Sequence, residues 1–124
     1  MMVRVSASAL AAALALLPGV LRAQAPEIDH QPIGCLVAEK YPQLRACFRP
    51  TSQVARARVY FHAEGVRDWY YVEMKSSVPC YEAALLRPSR KLAEQKKRLE
   101  YYVEVTSQKM EVGRTSQFDP MIVG

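Results

Sequence analysis

Short segments in which apolar and polar residues alternate make up most of the chain after residue 32. In residues 54–62, for example, Ala55, Ala57, Val59 and Phe61 would share one face of a strand. Residues 43–49 alternate in the same way, with Leu44, Ala46 and Phe48 on one face. Pro42 and Pro50 bracket this strand, because proline is poorly tolerated inside a β-ladder. Alternation, a short apolar run at residues 33–38 and a turn at Gly113 together predict about seven strands. They are expected at residues 33–38, 43–49, 54–62, 69–75, 80–85, 99–106 and 114–118.

About seven short strands separated by turn signals are typical of an antiparallel, immunoglobulin-like β-sandwich. The sequence therefore predicts an all-β domain over residues 26–124. One segment, residues 88–98, departs from the alternating pattern. Ser89 is a candidate N-cap, and the apolar residues after it have loosely helical spacing. This segment is predicted to be either a single helical turn between the two sheets or a long loop.

The first 25 residues predict a cleavable signal peptide. Arg4 supplies a positive charge, residues 6–17 are uncharged and rich in Ala and Leu, and residues 23–25 read Ala-Gln-Ala. This is the order of a charged region, an apolar region and a small-residue cleavage site. The apolar run is shorter than the ~20 residues needed to span a bilayer. We therefore expect an exported protein, periplasmic or extracellular, that begins at Pro26 and has no transmembrane segment.

The length and the net charge of the chain limit the classes of function that it can have. The 124 residues suffice for one domain. Without Arg4 and Arg22, 15 basic residues face 12 acidic ones, a net charge of +3. That excess is too small to indicate nucleic-acid binding. We therefore expect no nucleic acid among the partners.

Four segments of the chain together suggest a family. They are residues 59–61 (VYF), 69–74 (WYYVEM), 81–85 (YEAAL) and 99–106 (LEYYVEVT). Their order resembles fibronectin type III and early-set immunoglobulin-like domains, and is similar to those of a group of uncharacterised exported bacterial proteins. The resemblance covers about residues 30–118 and implies a β-sandwich. Some early-set domains bind carbohydrate through aromatic residues, but a fold does not by itself define a function.

The three cysteines permit three different pairings, each with one thiol left over. Export makes disulfides plausible. Cys47 and Cys80 both point away from the core side of their predicted strands, which would be neighbours in an immunoglobulin-like sandwich. A cross-strand Cys47–Cys80 bridge is therefore the preferred pairing, with Cys35 as the odd thiol. The alternative is that all three cysteines are unpaired.

Enzyme chemistry is not expected. The sequence contains two histidines, His30 and His62, and lacks the common nucleophile, phosphate-loop and zinc motifs. A catalytic histidine needs a nucleophile within reach and a third group to orient it, which the pattern does not offer. We predict no catalytic residue, no metal site and no cofactor.

The strongest candidate site is an aromatic sheet face. If the strands at 54–62, 69–75 and 99–106 share a sheet, their outward residues gather into one surface. The predicted ligand-binding residues are Tyr60, Trp69, Tyr71, Tyr102 and Arg58. Such a face suits a protein or cell-envelope partner. It could alternatively stack on a glycan, or only stabilise the sheet through cross-strand pairs.

A second candidate is a basic run between residues 87 and 98. It contains Arg87, Arg90, Lys91, Lys96, Lys97 and Arg98, interrupted by Glu94. It could contact anionic envelope polymers or lipid headgroups, or simply be solvated. The sequence as a whole predicts a non-catalytic binding or structural module.

Overall fold

A computed structural model of the protein describes residues 24–124. The predicted signal peptide, residues 1–25, lies almost entirely outside the described residues. None of the helices in this part of the chain is long and apolar enough to cross a membrane.

The described residues form an all-β domain with one short helix. The strands are β1 (Glu27–Asp29), β2 (Cys35–Val37), β3 (Gln43–Arg49), β4 (Val54–Ala63), β5 (Tyr70–Glu73), β6 (Lys75–Ser77), β7 (Cys80–Ala84), β8 (Leu99–Ser107), β9 (Val112–Arg114) and β10 (Met121–Val123). The helix α1 (Arg90–Glu94) lies between β7 and β8, and a single 3₁₀ turn spans Thr51–Gln53.

Two antiparallel four-stranded sheets contain most of the strands. Sheet I has the order β1-β3-β7-β6, and sheet II has the order β5-β4-β8-β9. The longest pairing joins β4 to β8 at the centre of sheet II. A separate parallel pair is formed by β2 and β10.

The inner faces of both sheets contribute to one hydrophobic core, an arrangement consistent with a β-sandwich. Leu44, Ala46 and Phe48 of β3 are buried, which confirms the alternation predicted for this strand. Sheet II contributes Val59 and Phe61 from β4 and Tyr101, Val103 and Val105 from β8. Successive side chains of a strand point to opposite faces of the sheet. The apolar residues at every second position therefore all lie on the face that covers the core.

The segment predicted as one strand at residues 69–75 is divided between the two sheets. Residues up to Glu73 pair with β4 in sheet II, whereas Lys75–Ser77 pair with β7 in sheet I. Met74, between them, is 6% exposed, and its N–H donates to the carbonyl of Ala57 at 2.8 Å. The chain thus changes sheets at a single buried residue, and this change partly accounts for the larger number of strands.

The predicted alternation of β4 is wrong at its start, where the strand contains a bulge. The register shifts between Val54 and Arg56, because Val54 pairs with Ser107 while Arg56 pairs with Thr106. A bulge of this kind adds one unpaired residue to a strand. Ala55, predicted to face inward, is therefore exposed, and Val54 is buried instead.

Residues 88–98 adopt the helical alternative of the two predicted. Ser89 is the N-cap, and its hydroxyl accepts a hydrogen bond from the N–H of Leu92 at 3.4 Å. Leu92 and Ala93 pack against the core and anchor the helix.

The predicted disulfide is confirmed. Cys47 in β3 and Cys80 at the start of β7 are bridged across neighbouring strands, with their Cα atoms 4.3 Å apart. The bridge lies within sheet I and closes 33 residues of chain. Cys35 has a free, exposed thiol.

Candidate functional site

The outer face of sheet II carries a row of tyrosines. In the register of the sheet, Tyr60 of β4 pairs with Tyr71 of β5 on one side and with Tyr102 of β8 on the other. Directly paired residues project from the same face of a sheet. The Tyr60 and Tyr102 rings stack at 5.1 Å with an interplanar angle of 13°, and the Tyr60 and Tyr71 rings are 5.5 Å apart.

Trp69 extends this row beyond Tyr102. It precedes β5, and its ring lies 3.7 Å from the ring of His62 at an interplanar angle of 17°. The centres of the Trp69 and Tyr102 rings are 5.2 Å apart in an edge-to-face arrangement. The Trp69 side chain remains 37% exposed and Tyr71 50% exposed. The structure therefore brings all four predicted aromatic residues into one continuous surface.

An arginine lies against the ring at each end of the tyrosine row. The Arg58 guanidinium lies 4.0 Å from the centre of the Tyr71 ring and donates to a Glu73 carboxylate oxygen at 2.8 Å. At the other end, Arg114 lies 5.7 Å from the centre of the Tyr102 ring. These distances are within the range of cation–π attraction. We call the outer surface formed by these two arginines, the three tyrosines and Trp69 the aromatic face.

The charges of the aromatic face are held in place by ion pairs. Hydrogen bonds to the Tyr60 hydroxyl and to Glu73 raise the pKa of Arg58, so it is a cation at every physiological pH. Glu104 is buried and accepts from Arg114 at 2.8 Å, and this hydrogen bond raises the pKa of Arg114. Burial raises the pKa of Tyr102, an effect that Arg114 opposes. The arginines are therefore permanent, partly neutralised cations.

Sequence reasoning did not select Arg114, which belongs to the aromatic face, or His62, which stacks on Trp69 beside it. His62 Nε2 lies 2.6 Å from Glu100 Oε1, and the two residues are direct cross-strand partners. His62 Nδ1 is buried and has no hydrogen-bond partner among the described residues. The alternation of β4 and β8 could have revealed the His62–Glu100 pair. The contact with Trp69 depends on the turn between β4 and β5, which alternation does not predict.

The other histidine has a structural position. A carbonyl oxygen only accepts hydrogen bonds, so His30 donates from Nδ1 to the carbonyl of Arg45 at 2.7 Å. In the neutral ring, Nε2 then accepts from the Tyr101 hydroxyl at 2.8 Å. The Tyr101 oxygen in turn accepts from the N–H of Ile33 at 3.1 Å. His30 thus links the chain before β2 to both sheets.

Chemically, the aromatic face offers flat apolar rings beside fixed charges. The part of the chain that the structure describes holds no group of three or more metal-ligating side chains. Ring faces and guanidinium groups bind protein side chains and can also stack on sugars.

Comparison with protein-family models finds no match, and a search of curated proteins finds no relative of significant similarity. The function is therefore inferred from the residues and their geometry.

Proposed function

We propose that the protein is an exported, non-catalytic binding module with an immunoglobulin-like or fibronectin type III-like fold. Strand order supports the fold. The order of sheet I corresponds to the A-B-E-D strands of an immunoglobulin domain, and that of sheet II to C′-C-F-G. The disulfide differs, since it joins two strands of one sheet, whereas antibody domains bridge their two sheets.

Two observations support export. The first 25 residues have the charged, apolar and small-residue order of a leader, and the Cys47–Cys80 bridge suits an oxidising compartment. The intact mass of the protein recovered from cells that express the full chain tests this proposal. A species that begins at Pro26 supports it, and recovery of the uncleaved chain alone contradicts it.

The aromatic face is proposed to bind a protein partner or a protein component of the cell envelope. The observation that carries this proposal is the continuous contact of rings from Tyr71 through Tyr60 and Tyr102 to Trp69. Trp, Tyr and Arg are the residue types enriched in interface hot spots. Because the rings already pack on one another, binding would cost little additional side-chain entropy.

A carbohydrate ligand is the alternative, favoured by one observation. His62 covers one face of the Trp69 indole, while the side chain as a whole stays 37% exposed. A free aromatic face can stack on a sugar ring. However, the nearby Arg58, Arg114 and His62 already bond to carboxylates, which leaves fewer polar groups for sugar hydroxyls. This arrangement favours the protein partner.

Site-specific photocrosslinking in the native cell tests the protein partner. A photoreactive residue at Tyr71 is expected to give a discrete adduct with one protein, and the same residue at Glu82, on the outer side of sheet I, is not. Trp69→Ala should abolish the Tyr71 adduct. Identical adducts from both positions would contradict the proposal.

Co-sedimentation with insoluble polysaccharides and peptidoglycan tests the alternative. Binding to one polymer that is lost in a folded Trp69→Ala/Tyr71→Ala variant, without a Tyr71 adduct, would establish a glycan site. The two experiments together separate the two classes of ligand.

A further inference from the structure

The connection between the two sheets concentrates positive charge. Residues 86–98 contain six cations and one carboxylate, a net charge of +5. The other described residues contain nine cations and eleven carboxylates. The positive balance of the described chain therefore lies entirely in this connection.

The fold presents these cations to solvent. Since α1 packs Leu92 and Ala93 against the core, Arg90 and Lys91 point outward and are exposed. The remaining cations of the connection are exposed or half-buried, namely Arg87, Lys96, Lys97 and Arg98. The four ion pairs found within residues 24–124 use none of the six. Close carboxylate partners therefore do not neutralise this charge.

Two large apolar side chains lie beside the cations. Tyr41 is 57% exposed and Leu86 67% exposed. A hydrogen bond between the residues next to them, from the N–H of Leu85 to the carbonyl of Pro42 at 2.9 Å, holds Tyr41 and Leu86 close together. The Arg87 guanidinium lies 5.8 Å from the centre of the Tyr41 ring. We call the surface formed by Tyr41, Leu86 and the six cations the basic end.

Two carboxylates that contact this surface bind its backbone and not its charged side chains. Glu39 accepts from the backbone N–H of Arg90, and Glu64 accepts from the backbone N–H of Arg98. The contact of Glu39 with Arg90 also places the loop before β3 alongside α1. Apolar and cationic groups are therefore contiguous at one end of the domain.

We propose that the basic end binds the surface of a membrane that contains anionic phospholipids. Each Lys or Arg near such a surface is attracted by the headgroup charge. Tyr41 and Leu86 are suited to the interface below the headgroups, where an aromatic ring or an aliphatic side chain leaves water. A soluble polyanion would engage the cations and leave these two side chains exposed to water. The apolar pair therefore favours a lipid surface.

Vesicle sedimentation tests this proposal with residues 26–124, which contain all ten strands and lack the apolar leader. The protein is expected to sediment with mixed phosphatidylcholine–phosphatidylglycerol vesicles and not with phosphatidylcholine alone. Arg90→Gln/Lys91→Gln should weaken binding by roughly fivefold for each cation removed. The matched variant Lys75→Gln/Lys109→Gln, outside the basic end, should change binding by less than about twofold. Equal losses in both variants would contradict a defined site.

A second variant separates lipid from a soluble polyanion. Tyr41→Ser/Leu86→Ser should weaken binding to mixed vesicles by about tenfold or more, because two partly inserted apolar groups are lost. The same variant should bind inorganic polyphosphate as the unaltered chain does. Unchanged vesicle binding by this variant, or equal sedimentation with neutral vesicles, would overturn the proposal.

Discussion

Single residues show how the buried polar groups of this small domain are satisfied. Tyr101 is fully buried in the core, yet its hydroxyl reaches His30 and the N–H of Ile33. A buried polar group without a partner is costly, so this short network stabilises the loop before β2. The network gives His30 a structural role.

Removing the Tyr101 hydroxyl should destabilise the domain. Tyr101→Phe leaves the Ile33 N–H and His30 Nε2 without their partner and should lower the free energy of unfolding by about 1–3 kcal/mol. Urea unfolding measures the change. Tyr102→Phe is the matched control, since the Tyr102 hydroxyl forms no hydrogen bond within the described residues. An equal loss in both variants would show that the network adds nothing.

Because the Tyr101 hydroxyl is buried, we also expect the domain to lose stability at alkaline pH. Burial raises the pKa of Tyr101 above its usual value of 10.0, and the Ile33 hydrogen bond opposes this only partly. As the pH rises through 10, the unfolded chain releases the proton first, so unfolding becomes more favourable. Urea midpoints between about pH 8 and pH 11 should fall, and fall less steeply in Tyr101→Phe. Parallel curves for the two proteins would refute this role of Tyr101.

At the scale of elements, the disulfide joins strands that are distant in the chain. β3 and β7 are separated by the whole of β4, β5 and β6, yet they are neighbours in sheet I. The change of sheet at Met74 makes this possible, because it returns the chain from sheet II to pair with β7. The bridge therefore holds together a pairing that local contacts alone would not favour.

Loss of the bridge should destabilise the fold without preventing sheet formation. Cys47→Ser/Cys80→Ser is expected to lower the free energy of unfolding by about 2–4 kcal/mol, because the unfolded chain regains the entropy of a 33-residue loop. Chemical unfolding of oxidised, reduced and substituted protein measures it. Cys35→Ser, which removes the exposed thiol, should change stability by less than about 0.5 kcal/mol. No difference between reduced and oxidised protein would argue against this contribution.

At the scale of the whole molecule, two surfaces with different chemistry are formed by different residues of the domain. The aromatic face is formed by the outer side of sheet II, and its arginines are paired with carboxylates. The basic end is formed by the connection between the sheets and carries unpaired cations. A single domain of this size could thus hold a partner on one surface while it rests on a charged surface with the other.

These two surfaces should act independently. Trp69→Ala/Tyr71→Ala is expected to remove partner binding and leave vesicle binding within about twofold, since sites that share no partners are usually additive. Arg90→Gln/Lys91→Gln should have the opposite profile. The crosslinking and sedimentation assays, run on both variants and on the combined variant, measure the coupling. Loss of both activities in either variant would show one shared site.

The sequence by itself determined the all-β class and much of the core. Leu44, Ala46 and Phe48 are buried as predicted. Alternation along the sequence fixes the face on which each side chain lies once the strand forms. Alternation also grouped Tyr60, Tyr71 and Tyr102 on one face. The cysteine pairing was predictable because both residues lay on the outer side of strands that the fold makes neighbours.

Only the tertiary structure decided at which residue each strand ends and in which direction the side chains in the turns point. The bulge beside Ala55 and the division of residues 69–75 arise from packing between sheets, which a local pattern does not contain. The stacking of Trp69 on His62 depends on the path of a turn. The hydrogen bonds of Tyr101 to His30 and Ile33 join residues about 70 positions apart in the chain. Such contacts depend on the assembled sheets, because the residues that form them have no short-range relation in the sequence.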